Sequence, residues 1–294
     1  NELHQWTGKY WKKMSIAEVE EHAIYWNVQN LHGVIVKFAH IKDALQFARR
    51  WVPAIEKPET DDLLIPLQNG YLQYEGGKFV LKPHDKTSAI DYLINCDYAP
   101  ASPAPAIFIK FIEQILPDEA VRSRVQEYLG YTLTSDARHQ RGQIWLGSGA
   151  NGKGVLANII QSFHANVATL NLADLGGFSL SHLPGASLIY VDEIPLCKID
   201  EAILKKLIAG ENSTIKLHYR PAINARILAK WLVLGNTIPQ VEDRSDGFWR
   251  RFDLVPFNVT IAEKDRDPDL AKKIIASELP GVLAWLLAGL ERLL

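Results

Sequence analysis

Apolar positions follow one rhythm in the first half of the chain and another from about residue 143. Upstream the spacing is mostly helical. Ile16, Val19 and Ala23 share one helical face, and Ala44, Leu45, Phe47 and Ala48 mark a second helix. Between these and the next helices, 63–67, then Asn69-Gly70, then 71–74 reads as a β-hairpin, because Asn-Gly supplies the positive φ of a tight turn. The run Tyr98-Ala-Pro-Ala-Ser-Pro-Ala-Pro105 is strong punctuation. Its prolines fix φ and remove donors, so it reads as a stiff linker into helices over 107–116 and 119–133.

From Gln143 short apolar strands alternate with helices. Ile144-Trp145-Leu146, then 188–191, then 231–234 are strand candidates, and that alternation argues for a mostly parallel α/β sheet. After Val259 the chain turns polar and helical, and Leu279-Pro280-Gly281 opens a last apolar helix ending at Leu294. There is no internal repeat and no low-complexity tract.

Hydrophobic residues make up 47% of 294, enough for a sizeable core in one large domain or two smaller ones. No apolar run approaches the roughly 20 residues that cross a bilayer, so no membrane partner is expected. The opening Asn-Glu-Leu-His-Gln-Trp is neither an initiator Met nor a signal peptide, and the chain is read as a piece of a longer protein. Cys96 and Cys197 stand alone, without CxxC or Cys/His spacing, and read as small buried hydrophobes, with which a reducing compartment is compatible. A formal net charge of −2 argues against a protein that coats DNA with its whole outer surface. It leaves room for a ring that grips one strand with a few residues in its channel.

Candidate chemistry begins with Gly147, Ser148, Gly149, Ala150, Asn151, Gly152, Lys153, Gly154 and Val155, which follow a strand and precede a helix. This is GxxxxGK spacing in the context a P-loop requires. The glycines let the backbone curl and aim successive N–H groups at phosphate oxygens, and the helix adds its positive N-terminal end. Lys153 would reach the β- and γ-phosphates. The Ser or Thr that ordinarily follows the lysine and ligates Mg²⁺ is Gly154 here. The metal must therefore lean on water or on the acidic motif, and some P-loop kinases share this Gly.

That acidic motif is Asp192-Glu193 at the end of the apolar strand 188–191. Asp192 would hold Mg²⁺ and Glu193 would orient or deprotonate the attacking water. The strand 231–234 ends at Gly235-Asn236, an amide placed to orient the same water. Arg250 and Arg251 follow within Asp246-Gly-Phe-Trp-Arg-Arg-Phe-Asp253. A permanent planar charge suits a γ-phosphate in its transition state, presented to a neighbour's nucleotide, with Arg251 the marginal favourite. In the segment 213–221, period-2 alternation puts Thr214, Lys216, His218 and Arg220 on one face and Ile215, Leu217 and Tyr219 on the other, with Arg226 and Lys230 on a return leg. Such a basic hairpin can hold backbone phosphates, or it can be a sheet edge guarded by charge. The helix before it, 200–209, carries a buried stripe of Ile203, Leu204, Leu207 and Ile208 with Asp200 as its cap.

The order of these elements resembles the superfamily 3 helicases, in the phage, plasmid and poxvirus primase-associated branch. It runs P-loop, acidic strand, basic β segment, Asn236 followed by Ile238-Pro239, then paired arginines leading to Pro256-Phe257. The likeness continues upstream in Ile65-Pro66, Asn69-Gly70-Tyr71, Tyr98-Ala-Pro100, Glu127-Tyr-Leu-Gly-Tyr-Thr-Leu133 and Trp6-Thr-Gly8. It implies a largely helical N-terminal region over 1–135 with a collar-like, oligomerising role, an AAA+ core with a mostly parallel sheet over 136–262, and a helical C-terminal segment over 263–294. It further implies an ATP- and Mg²⁺-dependent DNA helicase, a homo-hexamer or other ring moving 3′ to 5′ on single-stranded DNA and fused to or working with a primase or polymerase domain. Lys216, His218 and Arg220 become its pore residues and the cytoplasm its compartment. Two other readings stay open: an AAA+ ATPase that assembles or loads on DNA without unwinding it, and a P-loop small-molecule kinase. The kinase reading gives Asn236 and the paired arginines no task.

Overall fold

The computed structural model describes residues 3–30, 37–52, 63–218, 220–241 and 246–294. The chain divides into two compact units, one of residues 1–61 and 83–92, the other of 62–82 and 93–294.

In the smaller unit, strands β1 (His4–Trp6) and β2 (Trp11–Lys13) pair antiparallel. Trp6 lies opposite Trp11 with ring centroids 5.6 Å apart, a cross-strand aromatic pair that offsets the shortness of the ladder. Helix α1 (Ile16–Asn30) starts on a capping box. Glu18 N donates to Ser15 Oγ at 3.1 Å and Ser15 N to Glu18 Oε2 at 2.7 Å, so two orphan donors at the helix start are satisfied reciprocally. Helix α2 (Phe38–Trp51) follows. Both helices stand where the apolar spacing put them.

The larger unit opens with a meander of β3 (Leu64–Leu67), β4 (Gly70–Glu75) and β5 (Lys78–Lys82). The hairpin is there, but its two-residue loop is Gln68-Asn69 rather than Asn69-Gly70, because Gly70 already pairs with Leu67, and a third strand follows across Gly76-Gly77, both at positive φ. Helices α3 (Ala106–Ile115) and α4 (Glu119–Thr132) come next, then β6 (Gly142–Leu146), α5 (Lys153–Phe163), β7 (Val167–Thr169), β8 (Leu188–Val191) and α6 (Glu201–Ile208). The hairpin of β9 (Asn212–Leu217) and β10 (Arg220–Arg226) precedes β11 (Lys230–Gly235), a short helix α7 (Asp246–Trp249), β12 (Phe252–Pro256) and α8 (Leu270–Leu293).

The central sheet has the order β12-β6-β11-β8-β7, and every neighbouring pair is parallel. Parallel strands joined by helical crossovers are covered on both faces, which is why β11 is buried along its whole length. Trp145, Ile189, Val191, Trp231, Leu232 and Val233 form its interior. The architecture is the mixed α/β one that the strand–helix alternation predicts. The strands β7 and β12 are additions: β7 has only three residues, and β12, Phe-Asp-Leu-Val-Pro, has an acidic residue and a proline in place of the continuous apolar run that marks β8 and β11.

Three particulars depart from the sequence reading. First, α8 begins at Leu270 and runs through Pro280 rather than starting there. Proline favours the first helical turn, but here tertiary contacts decide. Val282, Leu283, Leu286 and Leu290 are fully buried, and the Glu278 carboxylate accepts the N–H groups of Ile107 (2.9 Å) and Phe108 (2.8 Å), capping α3 from the side. Second, by length and composition the segment Glu263–Leu293 reaches the mean hydropathy of a membrane span, 1.5, contrary to the expectation that no run comes close. Its apolar face packs on α4, with Gln126 Nε2 donating to the Trp285 carbonyl at 2.7 Å and Arg292 paired to Glu127 at 3.1 Å, as a core helix does. Third, Lys230 does not lie on the return leg of the hairpin. It opens β11, 3% exposed, and its ammonium donates to the carbonyls of Thr134 (2.9 Å) and Leu228 (3.0 Å) beneath the Tyr131 ring. Burial pulls its pKa down to about 7.

Helices α3 and α4 belong to the same compact unit as the sheet, so this unit runs on without a break at residue 135. Arg124 on α4 pairs with Asp253 at 2.7 Å, and Tyr128 Oη donates to the Trp231 carbonyl at 2.6 Å.

Candidate nucleotide-binding site

The site lies at the C-terminal ends of β6, β8 and β11, where an open parallel sheet presents its crevice. After Leu146 the chain curls through Gly149 (φ 104°), Ala150 (φ 52°) and Gly152 (φ 82°) before α5 begins. Gly152 is required twice over. Its φ lies in the left-handed region, and a Cβ there would meet Ile115 Cγ2 at 2.6 Å. The loop is anchored to the sheet by Gly147 N donating to Gly235 O (3.1 Å) and to the following strand exit by Ile261 N donating to Ala150 O (2.8 Å). Asn151 is buried, its amide donating to the Phe257 carbonyl at 3.4 Å. Lys153 is 7% exposed, its ammonium donating to the Gly147 carbonyl at 2.5 Å, and burial lowers its pKa.

An open cavity of about 480 Å³ is lined by Gly149, Ala150, Asn151, Gly152, Lys153, Gly154 and Val155 together with Asp192, Glu193, Leu234, Gly235 and Asn236. Three sequence motifs separated by some 40 residues each thus meet in one place. Asp192, Glu193 and Asn236 are exposed on its wall. The strand ends are locked together by a close approach: a Cβ on Gly235 would meet Ile194 Cδ1 at 2.5 Å, so only glycine lets the amide-bearing turn sit against the acidic one. The Tyr190 hydroxyl donates to Asp192 Oδ1 at 2.5 Å, and burial followed by that bond raises the phenol's pKa.

The residues present fit a nucleotide and a divalent cation. The cavity matches small-molecule sites in size, and a helix N-terminus with curled amides faces it. Among the described residues no cluster of three His, Cys, Asp or Glu could hold a metal by itself. One or two carboxylates sharing a cation with phosphates is the arrangement Mg²⁺ ordinarily takes.

Gly147 and Ser148 form the neck of the loop but do not line the cavity, nor do Arg250 and Arg251. Arg250 is exposed, whereas Arg251 turns inward. Its Nη1 donates to the Gly247 carbonyl, and its buried Nε has no hydrogen-bond partner among the described residues.

The basic segment is a hairpin, with Leu217 opposite Arg220 and Ile215 opposite Ile223. Thr214, Lys216 and His218 are exposed while Ile215 is buried. The alternation does not continue to Arg220, because β9 ends at Leu217 and the chain turns. Arg220 opens the partner strand, and its side chain lies outside the described residues, as does Tyr219. At the hairpin tip His218 stacks on Phe178, ring centroids 4.3 Å apart and 18° from parallel. Phe178 comes from the connection between β7 and β8 and is 49% exposed. It was missed in the sequence, where the one signal was a large aromatic directly after Gly176-Gly177.

Two family models match the chain. Residues 145–251, which hold nearly all of the P-loop, acidic, amide, arginine and hairpin positions, match a family of unknown function (DUF5906), and residues 1–117 match the family described as D5 N terminal like. A candidate helicase of Acanthamoeba polyphaga mimivirus is 23% identical over 275 residues, which are 86% of this chain and 27% of that protein. The chain thus spans about a quarter of the length of this curated relative. An A-form apo structure of the NrS-1 C-terminal region has the same fold, with a TM-score of 0.53 at 16% identity over 75% of this chain and 66% of that one. A second apo structure of that region gives 0.52 at 13% identity over 76% and 66%.

The chain is thus similar to two family models in separate parts of its length and to a candidate viral helicase, and it shares its fold with the NrS-1 C-terminal region. Within the loop the Gly154 position stands out, since a Cβ built there has nothing within 4 Å. No neighbouring side chain fills the place of the missing hydroxyl.

Proposed function

We propose that the chain is the motor of a replicative DNA helicase, hydrolysing ATP with Mg²⁺ and moving along single-stranded DNA as a ring. The observation that carries this reading is the convergence of the P-loop, the two carboxylates and Asn236 on one cavity. Lys153 would exchange the Gly147 carbonyl for β- and γ-phosphate oxygens, a favourable exchange because a buried ammonium gains an anionic partner. The loop amides and the start of α5 would hold the remaining phosphate charge. Asp192 would hold the cation, which supplies charge neutralisation between the phosphates when bound. Glu193 would orient the attacking water and take its proton, with Asn236 fixing that water from the neighbouring strand.

Arg250 is the better candidate for the residue presented to a neighbouring subunit's nucleotide. It is exposed, while Arg251 is committed to its own chain at Gly247. The ring, of which a hexamer is one form, brings that arginine to the next site. The hairpin tip would grip DNA, Lys216 by charge and the Phe178–His218 pair by offering an aromatic face to a base. Attachment to a primase or polymerase domain, a collar-like role for the segment up to residue 135 and a cytoplasmic site of action complete the reading.

The deciding experiment is ATP hydrolysis by the purified chain with and without single-stranded oligonucleotide. Stimulation by DNA, abolished in Lys153→Ala, is expected. Wild-type turnover in that variant would remove the phosphate-loop assignment. Nucleotide-driven assembly without strand separation would leave a loader, and phosphate transfer to a small acceptor a kinase.

A further inference from the structure

The cavity's oxygen-bearing side chains divide sharply in how they are held. Asn151 is committed within the loop, its amide to the Phe257 carbonyl and its Oδ1 to Lys153 N at 3.4 Å. Position 154 offers no side chain, and the space around it is open. Asp192 is exposed, and an exposed carboxylate ordinarily samples several rotamers. Here one of its oxygens is tied to the hydroxyl of Tyr190, two residues back on β8 and therefore on the same face of the strand. Tyr190 is half-buried, so its ring is held by the fold while its hydroxyl reaches the strand end.

We propose that Tyr190 is a positioning residue for the divalent cation. By restraining one oxygen of Asp192 it leaves the other as an ordered ligand, and this takes over the ordering that a P-loop hydroxyl would provide and Gly154 does not. The inference rests on the nucleotide site proposed above.

The test uses the full chain and a fluorescent ATP analogue, with binding followed by anisotropy in EDTA and across a Mg²⁺ titration. Tyr190→Phe removes one oxygen and keeps the ring. Its affinity in EDTA is expected within about two-fold of the parent chain, while the Mg²⁺ concentration for half-maximal tightening rises about ten-fold. Adding Gly154→Ser is expected to restore the parent Mg²⁺ requirement, because the new hydroxyl enters open space. An unchanged Mg²⁺ requirement in Tyr190→Phe, an equal loss with and without Mg²⁺, or no rescue by Gly154→Ser would each overturn the proposal. Should Tyr190→Phe fail to fold, Gly154→Ser alone decides: it lowers the Mg²⁺ requirement if the hydroxyl is the missing ligand, and leaves it unchanged if the proposal is wrong. A parent chain that binds no nucleotide in either condition refutes the site itself, a result distinct from any of these.

Discussion

At the scale of single residues, the paired arginines show how far apart two adjacent, chemically identical side chains can stand. Arg250 is exposed, whereas Arg251 donates to Gly247 and buries a second donor without a partner among the described residues. A guanidinium so placed braces the turn before β12, whose ladder to β6 starts with Gly142 N donating to Arg251 O at 2.8 Å. The two substitutions are therefore expected to separate. Arg250→Ala should retain nucleotide binding and the melting temperature while hydrolysis falls by roughly 10³-fold, the scale of a missing transition-state arginine. Arg251→Ala should instead lower the melting temperature, since it removes a part-buried hydrogen bond from a charged group, worth about 1.5–3 kcal/mol. Differential scanning fluorimetry beside a steady-state ATPase assay distinguishes them, and the reverse pattern would restore Arg251 as the residue acting across subunits.

At the scale of elements, the hairpin of β9 and β10 and the connection from β7 to β8 form one tip through the Phe178–His218 stack. In the proposed role, charge and aromatic surface would contribute to DNA binding in different ways, and the two are separable. Lys216→Ala is expected to weaken binding of a single-stranded oligonucleotide and to make the slope of log affinity against log salt shallower by about 0.7, one released counterion. Phe178→Ala is expected to cost about 1–3 kcal/mol, the stacking of one base, with the salt slope unchanged. Fluorescence titrations at several salt concentrations read both quantities. Unaltered binding in both variants would return the hairpin to the role of a charge-guarded sheet edge.

At the scale of the whole larger unit, a buried histidine is expected to weigh on acid stability. His164 closes α5, 4% exposed, with Nδ1 3.0 Å from Ser187 Oγ and Nε2 buried without a partner among the described residues. Burial, and then the positive charge of Lys230, lower its pKa to about 3. The unfolded chain takes up a proton near the ordinary histidine value of about 6.5 and the folded one does not, so stability is full above that value and is lost as pH falls below it. Between pH 7.5 and 5 the unit should lose about 2 kcal/mol through this residue. His164→Asn should flatten that part of the pH profile in urea unfolding, and an equally steep profile in the variant would exonerate His164.

Much of this was legible in the sequence because its causes are local. Glycines that must curl, a lysine at fixed spacing and carboxylates ending an apolar run constrain the backbone within a few residues, and so they can be read along the chain. The alternation of strands and helices likewise carried the parallel sheet. What only the tertiary structure decided depends on residues distant in sequence. Glu278 capping α3 and the packing of α4 carried α8 through a proline that marks a helix start when read locally. Carbonyls of Thr134 and Leu228 drew Lys230 inside, away from the basic hairpin it adjoins in sequence. Which of Arg250 and Arg251 is exposed, and that Phe178 meets His218, follow from how separate elements pack, and short-range patterning carries no information about that contact.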